Sequence, residues 1–422
     1  MNRDPTIPTV IIFLTAIYFI VASHVFAQDV SSNKLNLSEI IEIALQENPE
    51  LRAAQKSWEA TMAKIPQAKD FADPIVSMMF SKVPGGGADI IEPNASMYRI
   101  TQMLPFPGKR GLKEEIAKKG AEIAREKYEA KKIEIISKVK MAYYNLYMAY
   151  KAIEINEENV ELRRHFLEVA QTKYATGQVP QHDVIKAQIE LAKLINEGIT
   201  LQQRKETAEA MLNILLNRQP QSPLGVPEDF ELKPFNYTLE GLQQLAVKNR
   251  PELKSLTFAI EKGETMYALA KKNYYPNFML MFERMSGQVG SGSWNAMIGI
   301  NVPLFFKDKY DYKAKETLAN IEASEASYEK MRNMTLFEVK DLLVKLQTAQ
   351  RLENLLRTTH IPLAEQGLKA AETGYVAGMV DFLNLIESER MLFNFKLQHY
   401  QAMTNVQKLR AQLENSVGFS LE

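Results

Sequence analysis

Two short turns hold the side chains whose types and spacing could do chemistry. Tyr174-Ala175-Thr176-Gly177 is followed by Asp183, six residues beyond the glycine, and by Lys186, nine beyond it. Tyr375-Val376-Ala377-Gly378 is followed by Asp381 at three residues, Asn384 at six and Glu387 at nine. Carboxylates gathered at a constriction attract cations and raise one another's pKa. Asp183 and Asp381 could equally cap the helices that follow the turns. A second set is methionine: Met78, Met79, Met97, Met103, Met279, Met281, Met285 and Met297 lie in or beside segments with strand character. Thioethers suit soft Cu(I) or Ag(I); methionine is also an adaptable packing residue, and these side chains could face lipid.

Other chemistry is excluded by what the sequence lacks. There is no cysteine, so a disulfide framework, a thiolate metal site and a cysteine nucleophile all fall away. The five histidines form no H-E-x-x-H pair, and no G-x-S-x-G elbow occurs. Gly108-Lys109 lacks the upstream glycine and the following Ser or Thr of a phosphate loop. Formal net charge is zero, which gives no global field for nucleic acid. The expectation is a protein without catalysis, bound cofactor or resident metal.

The elements that must position the turns come in duplicate. Leu37-Ser38-Glu39 through Asn48-Pro49-Glu50-Leu51 returns as Leu239-Glu240-Gly241 through Arg250-Pro251-Glu252-Leu253, an offset of 202 (239−37), and the two Tyr-x-x-Gly turns stand 201 apart (375−174). Repetition at one spacing marks a duplicated structural unit. Residues 1–27 read as a secretory signal, with Arg3, an apolar run from Val10 to Val21, and a cut after Ala27. The first repeat then covers 28–236 and the second 237–422, each in the order helix, strand, strand, long helix, turn, helix. Helical periodicity from about Gly108 to Lys173 predicts about 65 residues of helix, on the order of 100 Å and so an elongated object. A seven-residue stripe, Val139, Leu146, Ile153, Val160, Leu167 and Tyr174, predicts coiled-coil-like packing. Leu342, Ala349, Leu356, Leu363 and Ala370 form its counterpart. Tyr143, Tyr144, Tyr147 and Tyr150 are expected between helices.

Strands are expected at 74–82, 95–104, 276–285 and 294–302, with proline at each helix junction: Pro74, Pro105 with Pro107, Pro276 and Pro303. Nine or ten residues suit a tilted membrane strand, although a half-buried soluble sheet would alternate in the same way. Four strands cannot close a barrel, and an open edge in lipid leaves backbone groups without partners. Strands that span a membrane therefore require several chains in one barrel.

The double repeat, the strand pairs, the Tyr-x-x-Gly turns and Met103-Leu104-Pro105-Phe106-Pro107-Gly108-Lys109-Arg110 together resemble the TolC-like outer membrane efflux proteins, from about Leu37 to Gly418. Asp73-Pro74 and Phe106-Pro107-Gly108-Lys109 look most like the CzcC/CusC-type ducts of heavy-metal exporters. The resemblance implies a mainly α fold with membrane β: a homotrimer sharing a twelve-stranded barrel in outer membrane lipid above a long periplasmic α-helical barrel. It also implies a passive exit duct that docks a periplasmic adaptor (membrane fusion protein) and an inner membrane transporter of RND type. By the same resemblance Gly177, Asp183, Gly378, Asp381, Asn384 and Glu387 become candidates for the periplasmic gate and adaptor contact. Many relatives carry a lipidated N-terminal cysteine; this sequence has none, so no lipid anchor is expected. Drugs, or polypeptides for a type I exporter, remain alternative cargoes, and a non-channel envelope coiled coil is the competing class.

Overall fold

A computed structural model describes residues 34–81, 95–287, 292–305 and 307–421. The expected signal segment, the loop from Pro84 to Gly87 with Pro93, and Gly290 in the second loop lie outside the described residues. In chain order the elements are α1 (Leu37–Glu47), α2 (Pro49–Met62), α3 (Lys64–Lys69), β1 (Ile75–Ser81), β2 (Ala95–Leu104), α4 (Lys109–Ala175) and α5 (Gln181–Leu215). The second half follows the same order with α6 (Leu239–Asn249), α7 (Pro251–Lys272), β3 (Asn277–Gly287), β4 (Ser293–Asn301), a π-turn (Lys307–Asp311), α8 (Tyr312–Leu355), a π-turn (Leu356–His360), α9 (Ile361–Val376) and α10 (Phe382–Val417). Asn48 starts α2, its side chain accepting from the Glu50 and Leu51 N–H groups at 2.9 and 3.3 Å, with Pro49 at the first helical position.

The chain divides into two compact units, each drawing on both repeats. In the unit of residues 34–42, 142–232 and 356–404, the tyrosines of α4 tie down the connecting segments. The Tyr143 hydroxyl donates to the Leu35 carbonyl at 2.9 Å and accepts from the Glu228 N–H at 3.0 Å, while Tyr147 donates to Asp229 at 2.9 Å. Burial pushes the Tyr143 hydroxyl up to about 12. In the unit of residues 43–141, 233–355 and 405–421, α7 packs closely on α8. The buried Arg250 guanidinium donates to Thr335 at 3.0 Å and to Glu338 at 2.7 Å, pinning the start of α7 to α8.

This second unit holds the sheet, an antiparallel meander β1-β2-β3-β4 whose edges are β1 and β4. Its register sorts the side chains into two faces. One face carries Val76, Tyr98, Ile100, Leu280, Phe282, Trp294, Ile298 and Ile300 and is mostly apolar, with Ser96, Gln102 and Ser286 as its small or polar exceptions and Tyr98, Arg284 and Trp294 in one cross-strand row. Arg284 lies over the Trp294 ring at 5.4 Å. A belt of Trp and Tyr at the rim of an apolar band is the pattern of a membrane interface. On the other face Ser77, Arg99, Glu283 and Asn295 form a row across all four strands. Arg99 donates to Glu283 at 3.0 and 3.1 Å, and Asn295 donates to the second Glu283 oxygen at 3.1 Å. Met97, Arg99, Met281, Glu283 and Met285 are half-buried or buried, whereas Tyr98, Ile100, Phe282 and Arg284 are exposed. The sheet thus curls around its polar face.

The helical seam departs from the predicted stripe. Val139 and Leu146 are fully buried, but Tyr174 is 46% exposed. The buried line instead runs through Ala149, Ala152, Ile155, Asn159, Arg163, Phe166, Ala170 and Lys173. Two successive three-residue steps, 149 to 152 to 155, shift it by one position, the local overwinding expected of a three-residue insertion in a heptad pattern. In the second repeat the line shifts the other way, from Leu356 to Ala364, leaving Leu363 exposed. Here the π-turn before Pro362 adds a residue where proline removes a helical N–H.

The two faces of the sheet predict opposite responses to charge. Ile298→Arg, on the apolar face, should cost ~2–4 kcal/mol in a lipid bilayer and reduce the yield of assembled protein in the membrane fraction. Met297→Arg, one residue away on the polar face, should assemble normally. Equal yields would reject the assignment of faces.

Candidate functional site

Both turns are built by the same local chemistry. Gly177 and Gly378 take φ of +72° and +74°, a conformation that costs a side-chain-bearing residue about 1–2 kcal/mol. Each ends its helix with two reverse bonds: Gly177 N–H to Tyr174 and Gln178 N–H to Lys173 in the first, Gly378 N–H to Tyr375 and Met379 N–H to Gly374 in the second. This double closure satisfies carbonyls that the helix end leaves open. All of these residues belong to the first unit.

The two turns are tied to each other by one residue. Lys173, buried in α4, donates from Nζ to the Tyr375 carbonyl at 2.7 Å and sits 5.0 Å from the centre of the Tyr375 ring. Its counterpart 201 residues on is Gly374 (173+201), which has no such reach. Tyr375 is 2% exposed and packs on Phe382 with ring centres 5.5 Å apart, whereas its counterpart Tyr174 is exposed. Burial, and then the charge of Asp183, push the Tyr375 hydroxyl up to about 12. Lys173, Asp183, Tyr375, Gly378, Asp381 and Phe382 line a cleft of about 500 Å³ between the turns. Beneath them Phe166, Ala170, Ala187, Ala371, Leu385 and Ile386 form an apolar core.

The structure brings the candidate residues to this end of the unit but gives them different duties. Asp381 caps α10, its carboxylate accepting from the Asn384 N–H at 2.8 Å. Asp183 does not cap: Pro180 is the capping residue of α5, and Asp183 lies half-buried in the first turn. Glu387 is exposed and 3.3 Å from Arg390, which also reaches Glu190 at 3.0 Å. Burial would push Glu190 up, but hydrogen bonds from Lys193 and Arg390 outweigh it and hold the carboxyl below its ordinary value. Val376, Met379 and Leu383 are 60%, 85% and 52% exposed, leaving an apolar rim on the second turn.

Sequence reasoning missed the charged pair in the core. Arg163 of α4 and Glu389 of α10 are 2% and 0% exposed. Arg163 Nε donates to one Glu389 oxygen at 3.1 Å and lies 3.0 Å from the other, while its Nη1 has no hydrogen-bond partner. Burial pushes Glu389 up to about 7 against the pull of Arg163. The signal was present as charge at a core position of the helical pattern, hidden because the apolar stripe runs one residue away.

Three comparisons bear on this arrangement. The profile of the family described as outer membrane efflux protein matches residues 40–218 and 242–419. The chain is 20% identical over 397 residues to the cobalt-zinc-cadmium resistance protein CzcC of Cupriavidus metallidurans, covering 90% of each. It is 22% identical over 398 residues to toxin and drug export protein A of Aggregatibacter actinomycetemcomitans, covering 91% of this chain and 86% of that one. The solved structure of CusC superposes with a TM-score of 0.79 at 18% identity, covering 92% of this chain and 93% of that one, and shows the TolC-like fold. The chain belongs to the outer membrane efflux protein family and is the outer membrane channel of a tripartite efflux system, a conduit and not an enzyme.

Proposed function

We propose that this channel is the exit duct for heavy-metal cations. It works as a homotrimer with a periplasmic adaptor and an RND-type inner membrane transporter. Its gate lies at the turns around Gly177 and Gly378. The observation that carries the cargo is the similarity to a cobalt-zinc-cadmium resistance protein over 90% of both chains. A drug or polypeptide cargo is the second reading, favoured by similarity of the same extent to a toxin and drug export protein.

The gate reading rests on three features of the turn region. Lys173 fastens one turn to the other through a single hydrogen bond and a cation–π contact, so one side chain holds the two together. Asp183 and Asp381 supply negative charge to the cleft between the turns, and Glu387 adds a carboxylate farther along α10. The apolar rim of Val376, Met379 and Leu383 offers an adaptor a surface to cover. Behind them the Arg163–Glu389 pair makes the region sensitive to pH. The folded pKa of Glu389 lies above the ordinary 4.5, so the protonated form favours the fold. That contribution is complete below about 4.5 and is lost as pH rises through about 7.

Three outcomes follow. A strain lacking this gene should become sensitive to heavy-metal salts, among cobalt, zinc, cadmium and silver, and keep its drug tolerance; the reverse pattern would select the second cargo. Glu387→Gln removes a carboxylate and leaves Arg390 less compensated, so reversal potentials in planar bilayers should move towards lower cation selectivity. An unchanged reversal potential would reject Glu387 as a gate residue. With the intrinsic base-catalysed rise of exchange divided out, the protection of the turn-end amides should fall between pH 5 and 8 in the native protein, and Glu389→Gln should flatten that fall; the same fall in both would remove Glu389 as its cause.

A further inference from the structure

The methionines of the sheet are not scattered. Met79, Met97, Met103, Met279, Met281, Met285 and Met297 all stand on the polar face with Arg99, Glu283 and Asn295; only Met78 stands among the apolar side chains opposite. Register places them in cross-strand rows. Met79, Met97 and Met285 are direct neighbours on β1, β2 and β3. Met281 and Met297 face each other on β3 and β4, and Met103 faces Met279. Directly opposed side chains have Cβ atoms about 4.5–5.5 Å apart, and successive rows on one face are about 7 Å apart along the strand. Side-chain positions agree: the Met97 sulfur lies 3.2 Å from Arg99 Nη2, the Met285 sulfur 3.9 Å from Asn295 Nδ2. The Met279 methyl covers Gly299, where an added Cβ would stand 2.9 Å from it.

Packing does not account for this placement. The face around which the sheet curls is the lumen side of a barrel closed by several chains, and a water-filled lumen is ordinarily polar. Lipid-facing positions, where a flexible apolar side chain is cheap, carry Ile, Phe and Trp instead. Thioethers are neutral, soft donors that select Cu(I) and Ag(I) over harder divalent ions. The face has no histidine, and its one described carboxylate, Glu283, is taken by Arg99 and Asn295. Rows of weak neutral donors also meet the requirement of conduction, that an ion bind well enough to enter and loosely enough to leave. Without any cysteine the path is proof against disulfide formation.

We propose that the polar face of the sheet is a thioether-lined path for soft monovalent cations, with Met79, Met97 and Met285 as one binding station and Met281 with Met297 as another. This deepens the heavy-metal reading above and rests on it for the transport role, though not for binding itself. Purified full-length protein in detergent and chloride-free buffer should bind silver ions, titrated as silver nitrate. The triple substitution Met79→Leu, Met97→Leu and Met285→Leu conserves volume and should weaken that binding by about tenfold or more. Met281→Leu with Met297→Leu should weaken it as well, and Met78→Leu, on the opposite face, should not. Absence of silver binding by the native protein, or equal binding by all variants, overturns the site. In cells, silver tolerance with the triple variant equal to that with the native gene, despite lost binding, overturns the path. If deleting the gene changes no metal tolerance while silver binding depends on these methionines, the heavy-metal cargo fails and the site stands.

Discussion

One constraint governs this molecule: in lipid every backbone N–H and C=O must find a partner within protein. The four strands satisfy one another across three ladders, yet β1 and β4 each keep an open side. The open edges can be closed only by other copies of the chain, so assembly is a condition of membrane insertion and not a later refinement. The apolar and polar faces of the sheet, the belt of Tyr98 and Trp294, and the curl about Arg99 and Glu283 are all solutions to placing such a sheet between lipid and water.

The duplication solves the same problem twice with unequal materials. Gly177 and Gly378 adopt the same conformation, and the two reverse hydrogen bonds that close the first turn recur in the second, which adds a third from the Val380 N–H to the Gly374 carbonyl. Around that common frame the side chains diverge. Arg163 and Glu389 correspond by position to Ala364 (163+201) and Gln188 (389−201), so the buried ion pair exists in one arrangement only. A buried pair of this kind contributes little net stability, but removing one partner strands the other at a cost of about 3–5 kcal/mol. It works as a constraint on how α4 and α10 can be juxtaposed.

Much of this was legible in the sequence because it depends on local rules. Strand positions follow from alternation and flanking prolines, helix ends from Asn48-Pro49 and the turn glycines, and the apolar face of β3 from Phe278, Leu280 and Phe282 against Glu283. What escaped depends on three-dimensional phase. A strict seven-residue stripe cannot register a three-residue step at Ala152 or a π-turn ahead of Pro362, and each moves the core by one residue. Arg163, Lys173 and Glu389 lay on the true seam and were passed over, since charge there reads as surface. At the turns the sequence left cap and charged ring open for both Asp183 and Asp381: Asp381 caps α10 and Asp183 does not, while Glu387 shares Arg390 with Glu190. The methionines could be counted from the sequence, but their alignment into rows needed strand register.

Lys173 has a consequence that belongs to counting. Only the first repeat carries this lysine; the second has Gly374 in its place. A closed ring of chains therefore holds as many such fastenings as it has chains, half the number of its turns. Fastened junctions, within a chain, and junctions without this lysine, between chains, must alternate around the rim, and the work of loosening it grows with the number of protomers and not with the number of repeats.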